Sequence, residues 1–139
     1  MRKYISSTKY HLPALFLSLL IFLSSSIPGD NLPQLNFQFS DKIIHILVFF
    51  FLYFSFFYSL KNQIISVKLS QLADLFGVIF VFIFGITDEI HQYFVPNRTC
   101  DIFDIIADLF GGLMGYLIVL LITKTEIYIR FSKRFFRSV

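Results

Sequence analysis

Residues 85–112 read GITDEIHQYFVPNRTCDIFDIIADLFGG and lie between two long apolar runs of the chain. Pro96 and Asn97 stand in the middle of this stretch, where they break a helix and favour a turn. The apolar residues on either side predict helices, so the stretch predicts the turn of a helical hairpin. It also concentrates charge, because its ionisable residues are Asp88, Glu89, His91, Arg98, Asp101, Asp104 and Asp108.

The composition predicts a membrane protein. The chain has 139 residues, of which 56% are hydrophobic and 15% are charged, and it contains 20 phenylalanines. Soluble domains usually carry more charge and fewer apolar residues. Four apolar segments, with their flanking residues, are long enough to cross about 30 Å of hydrocarbon as helices. We therefore predict an all-α fold, a single domain over residues 1–139 in which a bundle of four transmembrane helices covers about 11–27, 42–60, 72–94 and 103–122.

The lysines and arginines predict how this bundle is oriented. They cluster before the first segment, between the second and third (Lys61 and Lys68) and after the fourth. The other two connections carry only Lys42 and Arg98. The positive-inside rule then places both termini in the cytoplasm and the 85–112 turn outside. The formal charge of +3 reflects this topology and does not indicate nucleic-acid binding, so membrane lipids are the predicted partners.

Ionisable residues recur near the predicted outer end of three helices. A rise of 1.5 Å per residue places them at similar depth, and spacings of three or four place them on one face of each helix. Glycines on the third and fourth helices, including a G-x-x-x-G spacing, favour close helix packing at Gly85, Gly111, Gly112 and Gly115. We therefore predict a polar pocket at the outer mouth of the bundle. Its predicted members are Asp41, Lys42, His45, Asp88, Glu89, Gln92, Arg98, Asp101, Asp104 and Asp108.

Several chemistries fit these residue types. Buried carboxyls and histidines exchange protons near neutral pH, so the catalytic candidates are Asp41, His45, Asp88, Glu89 and Asp104. Mixed oxygen and nitrogen donors also suit a divalent metal, for which the candidate ligands are His45, Glu89 and Asp108. No specific metal-binding spacing accompanies them. The candidates for binding a ligand are Lys42, Gln92, Arg98, Asp101 and Asp108.

Structural roles compete with these chemical ones. Asp41, Asp101 and Asp104 fall where helices begin, and aspartates there often cap the first free N–H groups. For Asp88, Glu89 and Asp108, Arg98 is the expected partner, and such an ion pair would simply pin the turn. The charges are then a device for holding the hairpin.

The spacing of these residues resembles that of the VanZ-like family. The resemblance rests on Asp41-Lys42-x-x-His45 at the start of one span and Asp88-Glu89-x-x-Gln92 at the end of the next, followed by Pro96-x-Arg98, Asp101, Asp104 and a glycine-rich helix. It implies a small bacterial multi-pass membrane protein, and the family's namesake is associated with resistance to the glycopeptide teicoplanin. The sequence departs from the family at Asp108, where asparagine is common.

Three functions are compatible with the pattern and the resemblance. The favoured one is an outward-facing pocket that binds or acts on an envelope component, such as a lipid-linked cell-wall intermediate or a glycopeptide. The second is a membrane hydrolase or transferase that uses acid–base or metal chemistry on lipid-linked intermediates. The third is a small transporter, for which the predicted cytoplasmic half offers only Asp74 as an ionisable group along a path.

Overall fold

A computed structural model describes residues 8–32 and 40–136, with side chains described in 8–32 and 41–126. Within these ranges, five α-helices are placed: α1 (Leu12–Ser25), α2 (Ser40–Asn62), α3 (Val67–Gln71), α4 (Ala73–Tyr93) and α5 (Ile102–Phe136). A single 3₁₀ turn, Gly29–Asn31, follows α1. No strand occurs within these two ranges, so the predicted all-α class is confirmed.

Two helical segments of the described chain are long and apolar enough to cross a membrane, Asp41–Asn62 and Ile102–Glu126. Helix α1 is apolar but shorter, with 14 residues. Helix α4 has 21 residues and buries both Asp88 and Glu89 near its C-terminal end. Helix α5 continues beyond position 122 to Phe136, because the sequence after Ile122 contains no glycine or proline to end it.

The long helices pack around α2, whose closest neighbour is α5, and α4 lies against both. Their shared core contains Ile21, Phe49, Leu52, Tyr53 and Val81. The outer surface is also apolar: Phe16 is 64% exposed and Leu121 is 63% exposed, and many other large apolar side chains are equally open. A continuous apolar exterior of this kind suits contact with lipid better than contact with water.

Glycines bring α5 close to α2 and α4. A Cβ on Gly111 would overlap the backbone carbonyl of Ile46 in α2. A Cβ on Gly112 would lie 2.7 Å from Val81 in α4, and one on Gly115 would lie 2.5 Å from the ring of Tyr53. Gly85 faces Asp108, whose Oδ2 would lie 2.8 Å from an added Cβ. The absent side chains therefore set how closely these helices approach.

The turn after α1 is joined to the turn after α4. The Gly29 N–H donates to the Pro96 carbonyl over 3.1 Å, and the Asn97 amide donates to the Asp30 carboxylate over 2.5 Å. Asn97 has a φ of 57°, a left-handed conformation that asparagine tolerates better than most residues. These contacts hold the C-terminal ends of α1 and α4 side by side, at the end of the bundle where α5 begins.

We predict that Gly111→Val destabilises the bundle by about 1–3 kcal/mol, because the added methyl groups have no space against the backbone of α2. The free energy of unfolding is measured by SDS titration of the detergent-solubilised protein, followed by circular dichroism. Leu117→Val is the control, since Leu117 lies exposed on the same helix. A Gly111→Val variant as stable as the wild type contradicts the packing described above.

Candidate functional site

Lys42 is the cation that joins the predicted carboxylates. Its Nζ donates to Asp101 Oδ2 over 2.6 Å and to Asp104 Oδ1 over 2.5 Å, and it lies 3.2 Å from Asp41 Oδ2. Arg98, the expected partner of Asp88, Glu89 and Asp108, forms no ion pair among the described residues. Lys42 is the third residue of α2, directly after Asp41, and its long side chain spans from α2 to the start of α5.

Asp101 caps α5 and also contacts α4. Its Oδ1 accepts the N–H of Phe103 over 2.9 Å, and its own N–H donates to Glu89 Oε2 over 2.9 Å. The hydrogen bond from Lys42 holds the pKa of Asp101 below its ordinary value. The capping role considered for Asp101 is thus present, and it occurs together with an ion pair.

His45 and Asp108 form a second pair, between α2 and α5. His45 Nδ1 lies 2.8 Å from Asp108 Oδ1, and Asp108 is fully buried beside Gly85. The other carboxylate oxygen, Oδ2, has no hydrogen-bond partner among the described residues. The Asp108 carboxylate fixes the ring orientation of His45 and leaves the Nε2 edge for another contact.

Glu89 lies in the same cluster with no exposed surface at all. Its Oε1 finds no hydrogen-bond partner in the described part of the chain. Glu89, His45 and Asp104 each offer one ligand atom, and these atoms all lie within 4.8 Å of one another. The predicted metal ligands were His45, Glu89 and Asp108. The structure instead groups Asp104 with His45 and Glu89. Asp108 contacts His45 through Nδ1.

Asp88 faces a different neighbour from Glu89. Its Oδ2 accepts from Ser25 Oγ and from Gln92 Nε2, each over 2.8 Å. Ser25 belongs to α1 and was not among the predicted site residues, although it ends the apolar run in a Ser24–Ser25–Ser26 sequence. Asp88 and Gln92 therefore tie α4 to α1.

His91 lies outside the carboxylate cluster, on the α1 side. Its Nε2 lies 3.0 Å from Ser26 Oγ, and its ring stacks on Phe22 with a centroid distance of 4.6 Å. These contacts agree with a peripheral position for His91.

A cavity of about 590 Å³ lies between α1, α2 and the ends of α4 and of the turn that follows it. Its polar lining residues are Ser24, Ser25, Asp41, His45, Asp88, Gln92 and Arg98. Its apolar lining residues are Leu17, Leu20, Ile21, Leu32, Ile44, Val48 and Phe49. Arg98 makes no ion pair with any described residue, and its buried Nε has no hydrogen-bond partner there.

The predicted site residues thus fall into two groups that share one end of the bundle. The cluster group contains Lys42, His45, Glu89, Asp101, Asp104 and Asp108. The cavity group contains Asp41, Asp88, Gln92 and Arg98, and His45 borders both.

We predict that Lys42→Met raises the pKa of Asp101 toward its ordinary value of 3.8, since the hydrogen bond that stabilises the carboxylate is lost. Because the folded-state pKa lies below the unfolded value, ionised Asp101 stabilises the wild type above about pH 3.8. That contribution disappears as the pH falls below 3.8 through the folded-state pKa. Carbon-13 NMR of labelled aspartate carboxyls measures the pKa. Lys61→Met, at the other end of α2, is the control, and an Asp101 pKa unchanged by Lys42→Met contradicts the pairing.

A family model described as VanZ/LLP1 matches residues 6–123 of the chain. The comparisons with curated proteins and with solved structures gave no match. The matched range includes both apolar helices that are long enough to cross a membrane, and the two findings together indicate a membrane protein. The resemblance predicted from the spacing of Asp41, His45, Glu89 and Arg98 is confirmed: the chain belongs to the VanZ/LLP1 family.

Proposed function

We propose that the chain is a multi-pass protein of a bacterial cytoplasmic membrane and that its pocket, facing outside, binds a lipid-linked component of the cell envelope. The observation that carries the proposal is the cavity beside α1 and α2, which combines apolar lining residues of these helices with polar ones that include Arg98. Its volume of about 590 Å³ falls in the range of small-molecule binding pockets, roughly 300–1,000 Å³.

The apolar lining suits a hydrocarbon chain. Leu17, Leu20 and Ile21 line it from α1, and Ile44 and Val48 line it from α2. A lipid tail placed there would replace contacts that the helices otherwise make with bulk lipid. A water-soluble ligand would leave this apolar lining without a matching surface.

The polar end suits a head group that contains phosphate and hydroxyls. Arg98 borders the cavity without an ion pair in the described chain, and a guanidinium binds phosphate oxygens through paired N–H donors. Asp88 and Gln92 lie on the same lining and offer an acceptor and donors to hydroxyl groups. Lipid-linked sugars carry both kinds of group, which is why an envelope lipid fits better than a simple fatty acid.

The proposed topology has four spans, α1, α2, α4 and α5, with both termini in the cytoplasm. Support comes from the distribution of lysine and arginine in the sequence and from the apolar exterior of all four helices. The site residues then lie at the outer end, opposite the short connection that contains α3.

Cys100 is the chain's only cysteine and is exposed, so it serves as a native probe of topology. In intact cells we expect a membrane-impermeant maleimide to label Cys100. A Cys100→Ser, Ile65→Cys variant places the thiol on the exposed residue before α3, where labelling should require permeabilised cells. Labelling with the opposite sidedness contradicts the proposed orientation.

The binding proposal is tested with a fluorescent polyprenyl phosphate and purified protein in phospholipid nanodiscs. Wild type should bind the probe, and Val48→Trp should weaken binding at least about tenfold by filling the cavity. Arg98→Gln should also weaken it, because the phosphate loses its cation. Leu47→Trp is the matched control, since Leu47 is exposed and adjacent in α2. Equal binding by wild type and Val48→Trp, or no binding beyond that of a labelled phosphatidylglycerol, refutes the proposal.

A contribution to glycopeptide resistance follows from the same binding. A protein that holds lipid-linked intermediates would reduce access of teicoplanin to its target. Expression of the wild type in a susceptible host should then raise the inhibitory concentration of teicoplanin, and Val48→Trp should raise it less than Leu47→Trp. If the two variants raise the inhibitory concentration equally, any resistance does not depend on the cavity.

Catalysis is the second candidate, favoured by the His45–Asp108 pair beside the buried Glu89. Such a pair orients an imidazole for proton transfer. Release of phosphate from a polyprenyl diphosphate, lost in Glu89→Gln while the variant still accumulates in the membrane, would identify a hydrolase. A transporter has less support, since Phe49, Leu52, Tyr53 and Val81 form a buried apolar core in the bundle.

A further inference from the structure

We propose that His45, Glu89 and Asp104 form a binding site for a divalent transition metal, with Asp108 as the residue that positions His45. The site goes beyond lipid binding and does not depend on it. One ligand comes from each of α2, α4 and α5. Side chains on packed helices hold ligand geometry better than side chains on loops do.

The three ligand atoms already lie close together. All of them fall within 4.8 Å of one another, and Glu89 and Asp104 are both buried. A metal ion that bonds each ligand at about 2.0–2.2 Å draws such atoms to separations below about 4.4 Å, so only small side-chain movements are needed.

Asp108 and His45 form the carboxylate–histidine pair that is common in metal sites. Histidine ligands usually donate their second ring N–H to a carboxylate, which fixes the tautomer and strengthens the metal bond. Asp108 occupies that position on Nδ1 of His45 at 2.8 Å. The Nε2 atom is then the ring nitrogen left for a metal.

Glu89 gives an independent indication of a bound cation. The residue has no exposed surface, and its Oε1 has no hydrogen-bond partner in the described chain. A buried acceptor left unpaired costs about 1–3 kcal/mol, and more when it is charged. Its Oε2 is already occupied by the Asp101 N–H, so Oε1 is the oxygen available to a metal.

The charges of the cluster are a further argument for a bound cation. Among the described residues, Lys42 is the amine that forms ion pairs with it, contacting Asp41, Asp101 and Asp104. Glu89 and Asp108 have no such partner, and His45 supplies a positive charge only when it is protonated. Buried negative charge of this kind is stabilised by a cation or removed by protonation.

The ligand types select the metal. Imidazole favours zinc and similar transition metals, whereas sites for magnesium and calcium are built from oxygen ligands. One imidazole with two carboxylates therefore fits Zn²⁺ or Mn²⁺ better than Mg²⁺ or Ca²⁺.

The test uses full-length protein without a histidine tag, purified in detergent, stripped with a chelator and dialysed against Zn²⁺ or Mn²⁺. Mass spectrometry should find the metal in equimolar amount in the wild type, and its retention should survive a large excess of Mg²⁺. Glu89→Gln and His45→Ala should lose it, and Asp108→Asn should lower the affinity about 10–100-fold without abolishing binding.

His91→Ala and Asp88→Asn are the matched controls, because each removes the same type of group from the neighbouring, non-cluster face of α4. Both should retain the metal. Pulsed electron paramagnetic resonance on Mn²⁺-loaded wild type adds a readout that needs no variant, since a directly bound imidazole gives a nitrogen coupling. No metal in the wild type, no nitrogen coupling, or full retention by Glu89→Gln overturns the proposal. Failure of the lipid-binding test leaves these results unaffected.

Discussion

The arrangement of the bundle depends on one constraint, which is that charges brought into an apolar helix bundle need partners. Lys42 meets this constraint for the start of α5 by contacting Asp101 and Asp104 from α2. Asp101 extends this network of contacts to α4, because its N–H donates a hydrogen bond to Glu89 Oε2. Three helices are thereby fixed relative to one another at one end of the molecule. The close glycine contacts of Gly111 and Gly112 fix them again further along.

The sequence predicts much of this region but not its pairings. Proline, asparagine and the flanking apolar runs predict the hairpin, and depth along each helix predicts which charged residues meet. Depth does not decide which cation serves the carboxylates. Arg98 was the expected partner of the buried carboxylates, yet it forms no ion pair in the described chain. Lys42 instead contacts Asp101 and Asp104, because α2 packs against α5 and brings its first turn there. The distance between helices, set by Gly111 against Ile46, is a property of three dimensions that spacing does not contain.

Neighbouring residues on a helix also show that sequence spacing does not determine which side chains pair. Asp88 and Glu89 are adjacent, but successive side chains on an α-helix point about 100° apart. Asp88 therefore reaches Ser25 in α1, whereas Glu89 reaches the start of α5. Likewise Asp104 and Asp108 are one turn apart on one face, and only the depth of His45 in α2 decides which of them contacts Nδ1. Ser25 carried too weak a signal to be chosen, since a serine at the end of an apolar run is common.

The division between Asp88 and Glu89 lets one end of the bundle hold two different environments. On the α1 side lies a cavity whose lining is mostly apolar, and on the α5 side lies a compact cluster of carboxylates. His45 borders both, with its Nδ1 committed to Asp108. A lipid head group in the proposed cavity and a metal in the proposed cluster would therefore meet at the same imidazole. Binding of one would change the charge felt by the other, so the two proposed ligands should be linked in affinity even though neither requires the other.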